Sequence, residues 1–567
     1  MSIFKTEHPK PQFMRKNWVN LNGKWQFEID NGRTATQRNL HKNDVKLKDE
    51  IIVPFCPESE LSGIGNKDFM FGVVYKREFE ITKENLGNVI KLHFGGADYR
   101  TMLYINETYV GEHIGGQVSF SFDITKFVKL GTNTVAVIIE DDTRDFTVPS
   151  GKQSWQYYSF ECLYTRTTGI WQTVWLEFLP KTHIESVKFY PNINDCSVTV
   201  TAALCGSETL TAEVFYKEKK VGEYTSSPLN GNITFNIALS EKHLWEPGNG
   251  RLYDVEFKYG DDKVKSYFGL REVGIQNHKF ILNGKSVFQR LVLDQGFYPD
   301  GIYTAKCDTD IERDIDISMA MGFNGARLHQ KIFEERFLYY CDKKGYMVWG
   351  EFPSWGSNAE KGDAVCKFIS EWLEEVNRDF NHPAIIGWCP YNEVGRSETS
   401  YNKFGNRFKL LYNATKATDP TRPCIDSSGW SHIVTDIYDV HDYTQDPEDF
   451  KKHYDELYEN KFESRYNKLL PFTPGMPMFV SEYGGTSFAG SEGWGYGDSV
   501  NGNEEFLERF KALTYALLDN KYVCGFCYTQ LYDVEQEQNG LYTYNREPKV
   551  EAKKIFEIVS KKAAIED

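Results

Sequence analysis

Through roughly the first 270 residues the apolar positions come in short alternating runs. Val89-Ile-Lys-Leu-His-Phe94, Met102-Leu-Tyr-Ile105 and Thr134-Val-Ala-Val-Ile-Ile139 are examples, with Gly, Asn and Asp turns between them. A repeat of two is that of a half-buried strand, and strands at this spacing without helices between them suit sandwiches rather than βαβ units. The pattern breaks near Leu179-Pro180-Lys181 and resumes as a second set of strands that ends around residues 264–271. This predicts a larger, jelly-roll-like β-sandwich over residues 1–181 and a smaller, immunoglobulin-like one over 182–273.

Beyond residue 274 the pattern changes. Apolar strand-like runs at 287–293, 323–328, 346–351, 384–391, 423–426, 436–441, 478–481 and 523–529 alternate with helical periodicity at 308–321, 334–344, 364–380, 401–418 and 504–520, and a closing helix falls near 550–560. Strands buried on both faces and separated by helices are the signature of a parallel α/β architecture, and eight of them predict a (β/α)₈ barrel over 274–567. The fifth and sixth units are the least regular.

Two of these runs close on a glutamate. Ala384-Ile-Ile-Gly-Trp-Cys-Pro-Tyr-Asn392-Glu393 and Met478-Phe-Val-Ser481-Glu482-Tyr483-Gly484-Gly485 each end in turn chemistry that carries the chain into a loop. The C-terminal end of a strand is where such a barrel keeps its reactive groups, and two carboxylates facing one sugar are what hydrolysis of a glycosidic bond requires.

Composition narrows the class further. With 567 residues, 40% of them hydrophobic and 15% aromatic, the chain can bury several cores. A net charge of −16 argues against nucleic acid as a partner. The N-terminus has no apolar core of signal-peptide length, and no run approaches a membrane-spanning helix. Eleven cysteines, an odd number set among apolar neighbours, suit free thiols in a reducing compartment, so cytoplasm is the expected location. Cys524-Gly-Phe-Cys527 has Cys-x-x-Cys spacing, but on a strand residues three apart point to opposite faces. Asp308-Thr-Asp-Ile-Glu312 lacks the glycine of a calcium loop and reads as an acidic first helical turn. No cofactor and no metal site are expected.

Several segments together carry a resemblance: Leu21-Asn-Gly-Lys-Trp-Gln-Phe27, Val53-Pro-Phe-Cys-Pro-Glu-Ser59, Tyr164-Thr-Arg-Thr-Thr-Gly-Ile-Trp-Gln-Thr-Val-Trp-Leu-Glu177, Leu244-Trp-Glu-Pro247 and Tyr267-Phe-Gly-Leu-Arg271. With the two glutamate motifs, they make the chain resemble glycoside hydrolase family 2, whose members include β-galactosidases, β-glucuronidases and β-mannosidases. The resemblance runs over essentially the whole chain. It implies a sugar-binding sandwich, an immunoglobulin-like domain and a catalytic barrel, acting with retention of anomeric configuration on a glycoside or oligosaccharide. It leaves open a homo-oligomeric assembly.

By that resemblance Glu393 is the acid/base, which must carry a proton to donate to the leaving oxygen, and Asn392 lies beside the sugar 2-hydroxyl. Glu482 is the nucleophile, and retention predicts carboxyl groups about 5–5.5 Å apart. Tyr443 hydrogen-bonds the nucleophile, and Arg327 stabilises its charge. His329 shares the barrel face of Arg327, and His441 is either a substrate ligand or a structural histidine. Asp294 and Trp355 are further subsite candidates. Where relatives carry a tryptophan floor, this chain reads Gly525-Phe-Cys-Tyr528-Thr-Gln530, so Tyr528 is expected to stack on the sugar and Gln530 to bond a hydroxyl. The acidic stretch beginning Asp141-Asp142 is a candidate for a first-domain loop reaching the site mouth.

The sugar is read from one loop. β-Glucuronidases of the family carry Asn-x-Lys before the last barrel segment, whereas this chain reads Glu537-Gln538-Asn539. Losing the lysine and gaining a negative charge favour a neutral sugar, so a β-galactosidase-like exo-glycosidase is the first expectation. A lysine or arginine from elsewhere can substitute, which keeps β-glucuronidase as the alternative, beside mannose-, xylose- or arabinose-specific exo-activity. A carbohydrate-binding protein without catalysis is the remaining reading, and two intact glutamates argue against it.

Overall fold

In a computed structural model, residues 4–358, 362–395, 398–466 and 469–566 are described. The first domain is a sandwich of a six-stranded and a four-stranded antiparallel sheet. Alternate residues of strands such as Gly131–Glu140 and Gly72–Ile81 meet in a core containing Trp25, Phe27, Tyr75, Leu92 and Ile139. The second domain pairs a three-stranded with a four-stranded sheet, and Leu252–Tyr259 shows the alternation of buried and open positions residue by residue.

The third domain is a parallel barrel. Its strands run Gln289–Asp294, Gly325–Leu328, Met347–Glu351, Ile385–Cys389, Tyr438–Asp442, Met478–Gly484 and Val523–Thr529, each buried at every residue. The expected fifth strand is reduced to single bridges, Trp388 with Cys424 and Asn392 with Ser428, so the ring closes through irregular backbone at that point. A helix absent from the sequence expectation, Pro447–Asp455, precedes the strand that carries Glu482. Its signal is Asp446-Pro447, where the Asp446 carboxylate accepts from the Asp449 N–H and proline takes the first helical position.

Size complementarity sets the barrel interior. Trp349 stacks on Phe479 and donates its indole N–H to Gln289 at 2.8 Å. Gly387 on the neighbouring strand supplies the space, because a β-carbon there would collide with the Trp349 ring. The second domain is pinned to the barrel by Arg271, which is buried and donates to the carbonyls of Pro383 and Ile385 at 2.9 and 2.8 Å. Trp245 donates to the Asp342 carbonyl at 2.8 Å. Among the described residues no helix is long and apolar enough to cross a membrane.

Gly387→Ala should overpack the Trp349 contact and cost about 1–3 kcal/mol. Thermal unfolding would read this as a lowered barrel transition, while an unchanged melting temperature would contradict tight packing there.

Candidate active site

Glu393 leaves its strand in a left-handed turn, with φ at 53° and its N–H donating to the Ser428 carbonyl at 2.9 Å. For a residue with a β-carbon this conformation costs about 1–2 kcal/mol, and here it swings the carboxylate across the barrel mouth. Glu482 comes from within Met478–Gly484, three strands round the ring. One oxygen of each glutamate and a ring nitrogen of His441 all lie within 4.8 Å of one another. Atoms so placed can touch a common ion, and they can equally reach two sides of one sugar carbon.

His441 stands between the carboxylates. Its Nδ1 is 2.8 Å from Glu393 and 3.3 Å from Glu482, and its Nε2 is 3.0 Å from the Ser428 hydroxyl. Gly429 lets the ring in, since its φ is +89° and a β-carbon would meet the imidazole. Burial lowers the His441 pKa, but Glu482 and Glu393 outweigh this and raise it overall.

Glu482 is buried and strongly ionised. Burial alone would push its carboxyl up, yet His441, Arg327, His329 and the Tyr443 phenol hold it at about 2 instead of its ordinary 4.5. Tyr443 donates to it at 2.6 Å and lies 3.0 Å from the Thr529 hydroxyl. Arg327 donates to Glu482 at 3.0 Å and to the Ser481 carbonyl at 2.8 Å. Its other terminal nitrogen donates to Glu351 at 2.6 Å and to the Asn392 carboxamide oxygen at 3.0 Å. That orients Asn392 with its N–H₂ group left to donate elsewhere. His329 does not touch either glutamate of the pair; its Nδ1 lies 2.9 Å from Glu351.

The remaining expected residues fall into two groups. Trp355 is at the rim and donates its indole N–H to the Asn392 carbonyl at 3.0 Å. Gln530 joins a buried chain in which it accepts from Gln295 at 3.0 Å and donates to Asn539 at 2.8 Å. Tyr528, by contrast, packs edge-on against Tyr483 and Phe510 of the helix Asn503–Leu518, so it faces the barrel wall and is no sugar floor. Strand alternation explains the correction, because Tyr528 takes the outward position next to Thr529. Asp294 is also withdrawn from the site: its carboxylate accepts from the Tyr532 hydroxyl at 2.5 Å and the Gly296 N–H at 2.9 Å.

Asp141 is buried in the first domain, and the carboxylates that raise its pKa and that of its neighbour Asp98 lie there or on the helix Gly362–Asp379 rather than at the glutamate pair. The segment just beyond it is what reaches the mouth. Ser150 and Gly151 donate backbone N–H groups to the Trp355 carbonyl at 2.9 and 3.1 Å. A β-carbon at Gly151, φ +57°, would strike the Gln330 carbonyl. Lys152 follows with its ammonium 4.1 Å from the centre of the Trp355 ring. Tyr164, from the same segment, donates to Glu537 at 2.5 Å, and Asn539 donates to the other Glu537 oxygen at 3.2 Å. Tyr496 stacks on Tyr443 at 3.4 Å. Lys152, Tyr496 and the pairing role of Glu351 carry no local motif; Tyr164 opens the segment quoted above, but its contact with Glu537 spans 373 positions.

A parallel barrel with two carboxylates converging at the C-terminal ends of its strands is an arrangement in which glycosidic bonds can be cleaved. Sequence comparison agrees. The profile described as Glycosyl hydrolases family 2, TIM barrel domain, matches residues 273–560. The sugar binding domain of the same family matches residues 18–176, and a third profile, Glycosyl hydrolases family 2, matches 182–271. The chain belongs to glycosyl hydrolase family 2. It is 26% identical over 456 residues to a β-galactosidase of Thermoanaerobacter pseudethanolicus, covering 76% of this chain and 60% of that protein. It is 24% identical over 602 residues to a β-glucuronidase of Felis catus, covering 93% and 88%. The chain spans 58–64% of the length of three bacterial relatives it matches. A solved β-glucuronidase from Ruminococcus gnavus in complex with D-glucuronic acid shares the fold with a TM-score of 0.81 and 19% identity, covering 98% of this chain and 100% of that one.

Because the Glu482 carboxyl is held below its ordinary value, it stabilises the fold above pH 4.5, and that contribution fades as the pH falls toward about 2. Tyr443→Phe removes one of the groups holding it down. Thermal melts across the acid range should show a loss of stability that starts near the same pH but is smaller and complete at higher pH in Tyr443→Phe than in the parent, with about 1–3 kcal/mol already lost at neutral pH. Superimposable acid limbs would mean that the phenol does not hold the carboxylate.

Proposed function

We propose that the protein is a retaining exo-acting β-glycosidase in which Glu482 is the nucleophile and Glu393 the acid/base. The observation that carries this reading is the convergence of the two carboxylates, one oxygen of each lying within 4.8 Å of the other, in keeping with the short spacing of a retaining pair rather than the roughly 6.5–9.5 Å of an inverting one. In the first step a Glu482 oxygen bonds to the anomeric carbon as the bond to the aglycone oxygen breaks, and Glu393 gives that oxygen its proton. In the second, Glu393 takes a proton from water, the water oxygen bonds to the anomeric carbon and the Glu482 ester bond breaks. Arg327 and Tyr443 keep Glu482 charged and aimed before attack, and Asn392 offers its N–H₂ to the 2-hydroxyl as the ring flattens.

For the sugar, a terminal β-glucuronide takes precedence over the β-galactoside expected from residues 537–539. Support comes from the match to the Felis catus β-glucuronidase, which extends over nearly all of both chains, while the matched β-galactosidase is much longer. A β-galactoside remains the second reading, favoured by the buried Glu537 carboxyl at the mouth.

Release of nitrophenol from a panel of aryl glycosides tests both levels, with β-glucuronide expected to turn over fastest. A faster β-galactoside would select the second reading, and no turnover of any β-glycoside would defeat the enzyme assignment. Glu482→Gln should lower kcat by about 10⁴-fold or more. Glu393→Gln should be least damaging with good leaving groups, and NMR of the first-formed product should show the β-anomer. A first-formed α-anomer contradicts retention.

A further inference from the structure

Lys152 is 5% exposed, yet its ammonium makes no hydrogen bond or ion pair among the described residues; its one close partner is the face of the Trp355 indole. Surrounding carboxylates face it without touching it. Burial pulls its pKa down, while Cys162, Glu537, Glu482 and Glu393 together push it higher, so the group stays charged. A buried cation lacking an acceptor is costly unless something supplies the missing anion. Its backbone is fixed: the Lys152 carbonyl accepts from Tyr164 at 2.7 Å, and the preceding Ser150 and Gly151 are bonded to the barrel loop that bears Trp355. The first domain thus holds a charged amine against the rim residue whose indole is bonded to Asn392, beside the proposed acid/base.

Resting on the glycosidase reading, we propose that Lys152 is the specificity-determining residue for an acidic sugar: its ammonium pairs with the carboxylate of a terminal hexuronic acid in the site of Glu393 and Glu482. The loop 537–539 offers no cation for this task, and Glu537 opposes it. Glu537 is occupied by Tyr164 and Asn539, and burial raises its carboxyl, which reduces the repulsion a second carboxylate would meet. The charge that reads the substrate therefore comes from the sandwich, not from the barrel's last loop.

The test compares kcat/KM for nitrophenyl β-glucuronide with that for nitrophenyl β-glucoside and β-galactoside in the parent, Lys152→Met and Glu537→Gln. Titration of the same proteins with D-glucuronate and D-glucose accompanies it. Lys152→Met should reduce the glucuronide-to-neutral ratio by about 100-fold and abolish the preference for D-glucuronate in binding. Glu537→Gln should move the ratio several-fold the other way, an outcome that a folding defect cannot mimic. A ratio unchanged in Lys152→Met, all substrates falling together, would overturn the proposal and leave Lys152 as a prop for Trp355. Turnover of neutral sugars only, with no binding of D-glucuronate, would also overturn it while the glycosidase reading stands. Were no glycoside cleaved, that reading would fail, and the titration would still judge Lys152.

Discussion

Arg327 is buried with both terminal nitrogens engaged, and it joins four parts of the barrel: its own strand, the Glu351 strand end, Asn392 and Glu482. A guanidinium in such a place is tolerable only because two carboxylates and two oxygen acceptors complete its fork. The bargain runs both ways. Glu482 and Glu351 are each held at about 2 against the effect of their burial, with Arg327 among the groups that hold them there. The position of one carboxylate and the orientation of its neighbouring amide follow from satisfying this one cation, and it shares with His441 and His329 the work of keeping the buried carboxylates ionised.

Around that cation the site is assembled by backbone that gives way at chosen points. Glu393 accepts a left-handed conformation, and Gly429 clears space for His441. The ring of strands loosens where the fifth strand dwindles to bridges, one of them between Asn392 and Ser428. Regular strands therefore place Arg327, His441 and Glu482, and irregular backbone brings Asn392 and Glu393 round to meet them. His441 Nδ1 faces both glutamates, 2.8 Å from Glu393 and 3.3 Å from Glu482, so one imidazole is shared by the proposed acid/base and the proposed nucleophile.

How much of this was legible in the chain follows from the range of each signal. The three-domain β and α/β organisation could be read because strand periodicity and strand–helix alternation are local, and the glutamates stood out because strand, carboxylate and turn lie within ten residues. Tyr528 misled because the stretch after it hides which residues face inward, and Asp294 because a strand-end carboxylate looks the same whether it meets a sugar or Tyr532. The helix at Pro447 was missed although its cap was in plain view. Lys152 could not be found by any local rule. Its meaning comes from a loop of the first sandwich docked on the barrel, more than 200 residues from Trp355 and 240 from Glu393, and only folding brings those positions together.

A covalent bond between Glu482 and the sugar, formed within reach of Glu393, is open to trapping. Incubation with a 2-deoxy-2-fluoro-β-glycosyl fluoride of the preferred sugar, followed by proteolysis and mass spectrometry, addresses it directly, because the fluorine slows breakdown of the glycosyl-enzyme. One equivalent of label is expected, carried by the peptide that contains Glu482 and lost in Glu482→Gln. Label on another residue, or turnover-dependent inactivation with Glu482 unmodified, would contradict it.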